Sequence, residues 1–113
     1  DILPKEGDLV ETVVLSNEFT VKQNYPNPFN PETEISFALP ENSNVRITIM
    51  DILGREIITL EDNQLAAGYH SRRWNGIDAS GIQVGSGIYF YRITILGETG
   101  KEFNKVMKML MLK

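Results

Sequence analysis

Residues 34–49 read Glu34-Ile35-Ser36-Phe37-Ala38-Leu39-Pro40-Glu41-Asn42-Ser43-Asn44-Val45-Arg46-Ile47-Thr48-Ile49, and this stretch decides the fold class. Ile35, Phe37 and Leu39 alternate with Glu34, Ser36 and Ala38. In an extended chain successive side chains point to opposite faces, so the three large apolar groups share one face. Pro40 lacks an amide hydrogen for a ladder and ends the strand. Val45, Ile47 and Ile49 repeat the device against Arg46 and Thr48.

The pattern continues outward from these two strands. Residues 51–54 supply a turn, and a strand is expected over 56–60. A further strand spans 68–74, followed by Asn75-Gly76 and Ser80-Gly81, dipeptides that provide the positive backbone angles of tight turns. Residues 86–96 form the longest run, rich in aromatic and β-branched residues, and 97–100 turn it back into a closing hairpin strand over 101–113. No stretch reads as an amphipathic helix. The spacing predicts an all-β antiparallel sandwich of about seven short strands. Residues 1–18 carry Asp1, Glu6, Asp8, Glu11 and Glu18 against Lys5, show no sustained periodicity and read as an acidic linker. The domain is expected over 19–113.

Composition narrows the function classes. A chain of 113 residues with 42% hydrophobic content supports one domain with one core. No run approaches the roughly 20 apolar residues of a membrane helix, and no signal-peptide layout opens the sequence, so an export signal would lie upstream. Without cysteine, disulfides and thiolate metal sites are excluded. The net charge of −4 argues against a nucleic-acid partner, which would need clustered Lys and Arg. No cofactor is implied.

Candidate chemistry is sparse. His70 is the sole histidine, and with no carboxylate at visible spacing to orient it, a structural role is expected. Asn75, Asp78 and Ser80 place oxygens in a glycine-containing loop but lack the later bidentate glutamate of a calcium loop, so an Asx-type turn is expected. Glu61-Asp62 are adjacent carboxylates that would diverge on a strand, and a solvated turn is expected there. No nucleophile elbow, phosphate-binding glycine loop or metalloprotease helix is present, and no catalytic residue is assigned.

Two segments stand apart. Tyr25-Pro26-Asn27-Pro28-Phe29-Asn30-Pro31 has three prolines in six residues, which forbids a central strand and suggests a rigid lead-in. Its Tyr25 and Phe29 could cap one end of the core, with Asn27 and Asn30 bonding nearby backbone. The closing residues 101–113 carry Lys101, Lys105, Lys108 and Lys113 around a Met and Leu run. As an edge strand, its lysines would discourage unwanted pairing, and a receptor could instead capture this end by strand addition.

Residues 19–113 resemble the type A C-terminal sorting domain of the bacterial type IX secretion system. The resemblance rests on residues 23–31, on residues 51–56, on Gly68-Tyr69-His70-Ser71, on Trp74-Asn75-Gly76, on Ser86-Gly87-Ile88-Tyr89-Phe90-Tyr91-Arg92, and on the closing Lys108-Met109-Leu110-Met111-Leu112-Lys113. It implies an immunoglobulin-like sandwich at the end of a larger exported protein, with Tyr25, Pro26, Asn27, Pro28, Phe29, Gly68, Trp74, Gly76, Ser86, Gly87, Tyr89 and Tyr91 as structural motif residues. It implies recognition of residues 108–113 by an outer-membrane translocon after passage through the periplasm. Removal by a sortase-like cysteine protease in the linker before Phe19 and delivery of upstream cargo to the cell surface or medium are also implied. In two departures, Arg72 stands where an apolar residue is usual, and Gly85 replaces a usual alanine. Arg72 would leave its face partly exposed, with its stem along Trp74, and Gly85 would loosen the approach to the long strand. Two other readings compete: a structural module self-associating through strand edges, and a carbohydrate-binding module using Tyr69, Trp74, Tyr89 and Tyr91.

Overall fold

The alternation at residues 34–49 becomes the middle of a two-layer structure. The computed structural model describes residues 18–112, so the linker reading, apart from Glu18, and the last recognition residue, Lys113, lie outside the described residues. The strands are β1 (Thr20–Val21), β2 (Thr33–Leu39), β3 (Ser43–Asp51), β4 (Glu56–Leu65), β5 (Gly68–Trp74), β6 (Gly87–Gly97) and β7 (Glu102–Met111). One sheet has the order β1-β2-β5 and the other β4-β3-β6-β7, and all their pairings are antiparallel. The expected all-β sandwich is therefore present.

Facing rows fill the space between the sheets. β2 contributes Ile35, Phe37 and Leu39, β3 contributes Val45, Ile47 and Ile49, and β6 contributes Tyr89, Tyr91, Ile93 and Ile95. Removing a side chain of this class from water stabilises by about 1.5–3 kcal/mol, which is why the period-two pattern dictates the register.

The β4 strand departs from its expected limit at residue 60 and from simple alternation. Register shifts between Ile47/Thr48 and Ile49/Met50 leave Leu60 and Ile57 as extra residues on β4. Glu61 is brought opposite the inward-facing Ile47, and Arg72 on β5 stands opposite the inward-facing Ile35. Their side chains form an ion pair across the open side of the sandwich, with Glu61 also accepting from Asn63 Nδ2 at 2.9 Å. The expected solvated turn at Glu61-Asp62 is thus corrected: both belong to a strand, and Asp62 lies beside Arg46 on the outer face. Arg72 engages a carboxylate rather than leaving a bare face.

Three hairpin turns share one construction. In residues 51–55, Asp51 N donates to Arg55 O (2.9 Å), Gly54 N donates to Asp51 O (2.9 Å), and Asp51 Oδ1 accepts from the amides of Leu53 and Arg55 (both 2.9 Å). Residues 78–82 repeat all four bonds with Asp78, Gly81, Ser80 and Ile82 in the equivalent places. Both glycines sit at positive φ, +83° and +84°, where a side chain would be strained. Residues 97–101 keep the two backbone bonds but begin with Gly97, and the missing carboxylate comes from Glu41, whose Oε2 accepts from Thr99 N at 2.9 Å.

Candidate functional site

The terminal strand β7 borders β6 on one side only, and its alternation divides the expected recognition segment into two sets. Met109 and Met111 point into the core at 1% and 0% exposure. Lys108 and Leu112 are exposed and Leu110 is half-buried, all away from the core.

The outer edge of this half of β7 is occupied by the proline-rich segment. Phe29 N donates to Leu110 O (3.0 Å) and Leu112 N donates to Phe29 O (2.9 Å), a parallel bridge between Phe29 and Met111. Asn27 Oδ1 accepts from Leu110 N at 3.0 Å, and Gln23 Nε2 donates to Lys108 O at 2.8 Å. Four backbone groups that strand addition would use, Lys108 O, Leu110 N, Leu110 O and Leu112 N, are therefore already bonded within the chain. Asn27 serves a partner 83 residues away rather than nearby backbone.

Buried polar and aromatic groups hold this clamp in place. Asn24 and Thr33 are each 2% exposed; Asn24 Nδ2 donates to Thr33 Oγ1 (2.8 Å), and the threonine hydroxyl donates to Pro26 O (2.8 Å). Phe29 packs on Trp74 with ring centroids 5.7 Å apart, and Trp74 meets Tyr89 edge-on at 5.4 Å. Trp74 Nε1 donates to Ile77 O at 2.8 Å. Gly76 sits at φ +79°, where any side chain would be strained, and a Cβ there would begin 3.1 Å from Met111 Sδ, so glycine is favoured beside the end of β7. Tyr91 donates its hydroxyl to Lys22 O at 2.7 Å, and burial pushes its phenol up to about 12. Tyr25, expected to cap the core, is instead 81% exposed and engages β2 only through its backbone, at Glu34.

A family model described as "Secretion system C-terminal sorting domain" matches residues 23–109. The chain belongs to that family. The sorting domain's fold also resembles part of dimeric latent PorU from Porphyromonas gingivalis (18% identity, TM-score 0.67), over 85% of this chain and 10% of PorU. FlgD from P. aeruginosa is similar over 85% of this chain and 74% of that one (24% identity, TM-score 0.60). FlgD from Xanthomonas campestris is similar over 91% and 75% (19% identity, TM-score 0.59). The sorting domain thus spans only about a tenth of the PorU chain. Comparison with curated protein sequences finds no match.

The remaining sequence candidates have structural surroundings. His70 Nε2 donates to Ala66 O at 2.7 Å, and its ring stacks on Phe37. Asp78 Oδ1 is engaged by two turn amides, the Asx-type arrangement expected from the sequence. Of the four rings considered for carbohydrate, Trp74, Tyr89 and Tyr91 are buried and Tyr69 alone is exposed, which disfavours an aromatic platform. Gly68 and Gly87 begin β5 and β6, and Ser86 lines a depression beside the 51–55 turn. The buried Asn24–Thr33 bond and the Glu61–Arg72 pair are not legible in the sequence, because one depends on how the proline segment turns back on β2 and the other on a bulge in β4. Asn24 directly precedes the proline segment and was the one visible hint.

Proposed function

We propose that this sorting domain is the C-terminal address by which a type IX apparatus carries a larger protein from the periplasm across the outer membrane. A translocon recognises the end of β7, a sortase-like cysteine protease then cuts in the acidic linker before Phe19, and the cargo is left at the cell surface or in the medium. The domain is substrate rather than enzyme. The family match over residues 23–109 carries the reading. The arrangement of β7 supports it: Lys108 and Leu112 are exposed while the strand itself is held by the 23–29 clamp.

Deleting residues 108–113 would also remove Met109 and Met111 from the core, so the test uses outward positions. A periplasm-directed fluorescent cargo ending in the 113-residue chain is expressed in a host with a type IX apparatus and fractionated. The parent fusion reaches the surface or medium, whereas Lys108→Glu with Leu112→Asp accumulates in the periplasm while melting normally. Periplasmic retention of the parent, under conditions where the host's own sorting domain exports the same cargo, refutes the reading.

A further inference from the structure

The turn at residues 51–55 exposes two large apolar side chains, Ile52 at 64% and Leu53 at 73%. The turn does not require them. The 78–82 turn makes the same four hydrogen bonds with Ala79 and Ser80 in those places, and the 97–101 turn keeps the two backbone bonds with Glu98 and Thr99 there. What the chemistry demands is the aspartate and the glycine; the two residues between are free to be polar. Ile52 and Leu53 are nevertheless presented rigidly, because Asp51 also holds Arg55 through a 2.8 Å ion pair.

These residues join the end of the terminal strand. Ile52 and Leu53 line a shallow depression with Ile88, and Ile88 in turn lines the next one with Lys108 and Leu110. In the ladder Ile88 stands directly opposite Leu110. An apolar strip therefore runs from the turn, across β6, to the outer face of β7. Its net charge is positive. Asp51 and Arg55 offset one another in their ion pair, and exposed Lys108, which has no ion pair among the described residues, is the unbalanced charge.

We infer that this strip is a docking surface for a protein partner that offers an apolar recess bordered by carboxylates, with Ile52 and Leu53 as anchors and Lys108 as the charged contact. The inference rests on the address reading and deepens it: the recognised feature is a folded surface that includes the 51–55 turn, in addition to the terminal segment. A clamped turn loses little conformational freedom on docking, which favours affinity, and a contiguous exposed apolar surface of this kind is characteristic of interaction sites.

The test compares three cargo fusions bearing the full chain: the parent, Ile52→Asp with Leu53→Asp, and the sister-turn control Ala79→Asp with Ser80→Asp. Loss of two anchor side chains is expected to lower exported cargo about tenfold or more, with thermal unfolding unchanged within a few degrees and the control exported like the parent. Parent-like export of the 52/53 variant overturns the inference and leaves the address reading standing. Retention of the parent, where the host's own sorting domain is exported, overturns both. Flotation with vesicles of equimolar phosphatidylglycerol and phosphatidylcholine separates a lipid from a protein partner: parent binding lost in the 52/53 variant would reassign the strip to membrane and overturn the protein partner.

Discussion

Alternation along β7 makes a sharp prediction about two neighbouring residues. Met109→Ala removes three heavy atoms from a position 1% exposed. At about 0.8 kcal/mol per buried methylene the transfer cost is about 2.4 kcal/mol. The unfilled space raises the loss to about 3 kcal/mol, within the range of about 2–5 kcal/mol for such truncations. For a domain of this size each kcal/mol moves the melting temperature by about 4–8 °C, so Met109→Ala should melt about 12–24 °C lower. Leu110→Ala, on the outer face, should cost under about 1 kcal/mol and shift melting by only a few degrees. Thermal unfolding followed by circular dichroism decides the matter. Equal losses for the two variants, or a larger loss at Leu110, would refute the register assigned to β7 and with it the division of the terminal segment into core and surface sets.

Three further outcomes are expected. The Tyr91 phenol, pushed up to about 12 in the fold, stays protonated where an unfolded tyrosine of pKa about 10 ionises. Its contribution is therefore complete below about pH 10 and lost as pH rises through the folded value, by about 3 kcal/mol in all. Urea unfolding at about pH 9 and 11.5 should show this slope, and Tyr91→Phe should shrink it to what Tyr89, whose phenol burial also raises, contributes. Glu61 is raised by burial but lowered more by its bonds to Arg72 and Asn63, so its net shift is downward. The stability it adds is present above the ordinary carboxylate range and fades as pH falls through the depressed value. Glu61→Gln should accordingly lower the neutral-pH midpoint and flatten the acid limb, and an unchanged acid limb would count against the pair. Gly85 has nothing within 4 Å of where a Cβ would stand, so Gly85→Ala should stabilise by about 0.4–1 kcal/mol, measured as a higher urea midpoint.

The clamp lets one short segment complete the fold while leaving outward side chains free for the proposed recognition. Met109 and Met111 complete the core, the 23–29 segment occupies the strand edge, and Lys108 and Leu110 join a surface strip with Ile88 and the 51–55 turn. Truncation experiments that remove the whole segment therefore report on both roles at once. Single outward substitutions separate them.

The all-β class, the placement of β2, β3 and β5 and the turns at 51–55 and 78–82 were legible in the chain. Each depends on chemistry within a few residues: period-two alternation, a proline stop, an aspartate-glycine turn. Family membership was legible too, because its motifs are written in order along the sequence. Tertiary structure alone decided that Asn27 and Phe29 close the edge of a strand some 80 residues later, that Tyr25 stays outside, and that bulges on β4 turn Glu61 toward Arg72. It alone set Ile88 between the 51–55 turn and Leu110. Such pairings link residues that share no local period, and they arise only when two sheets fix where each edge and turn lies relative to the others.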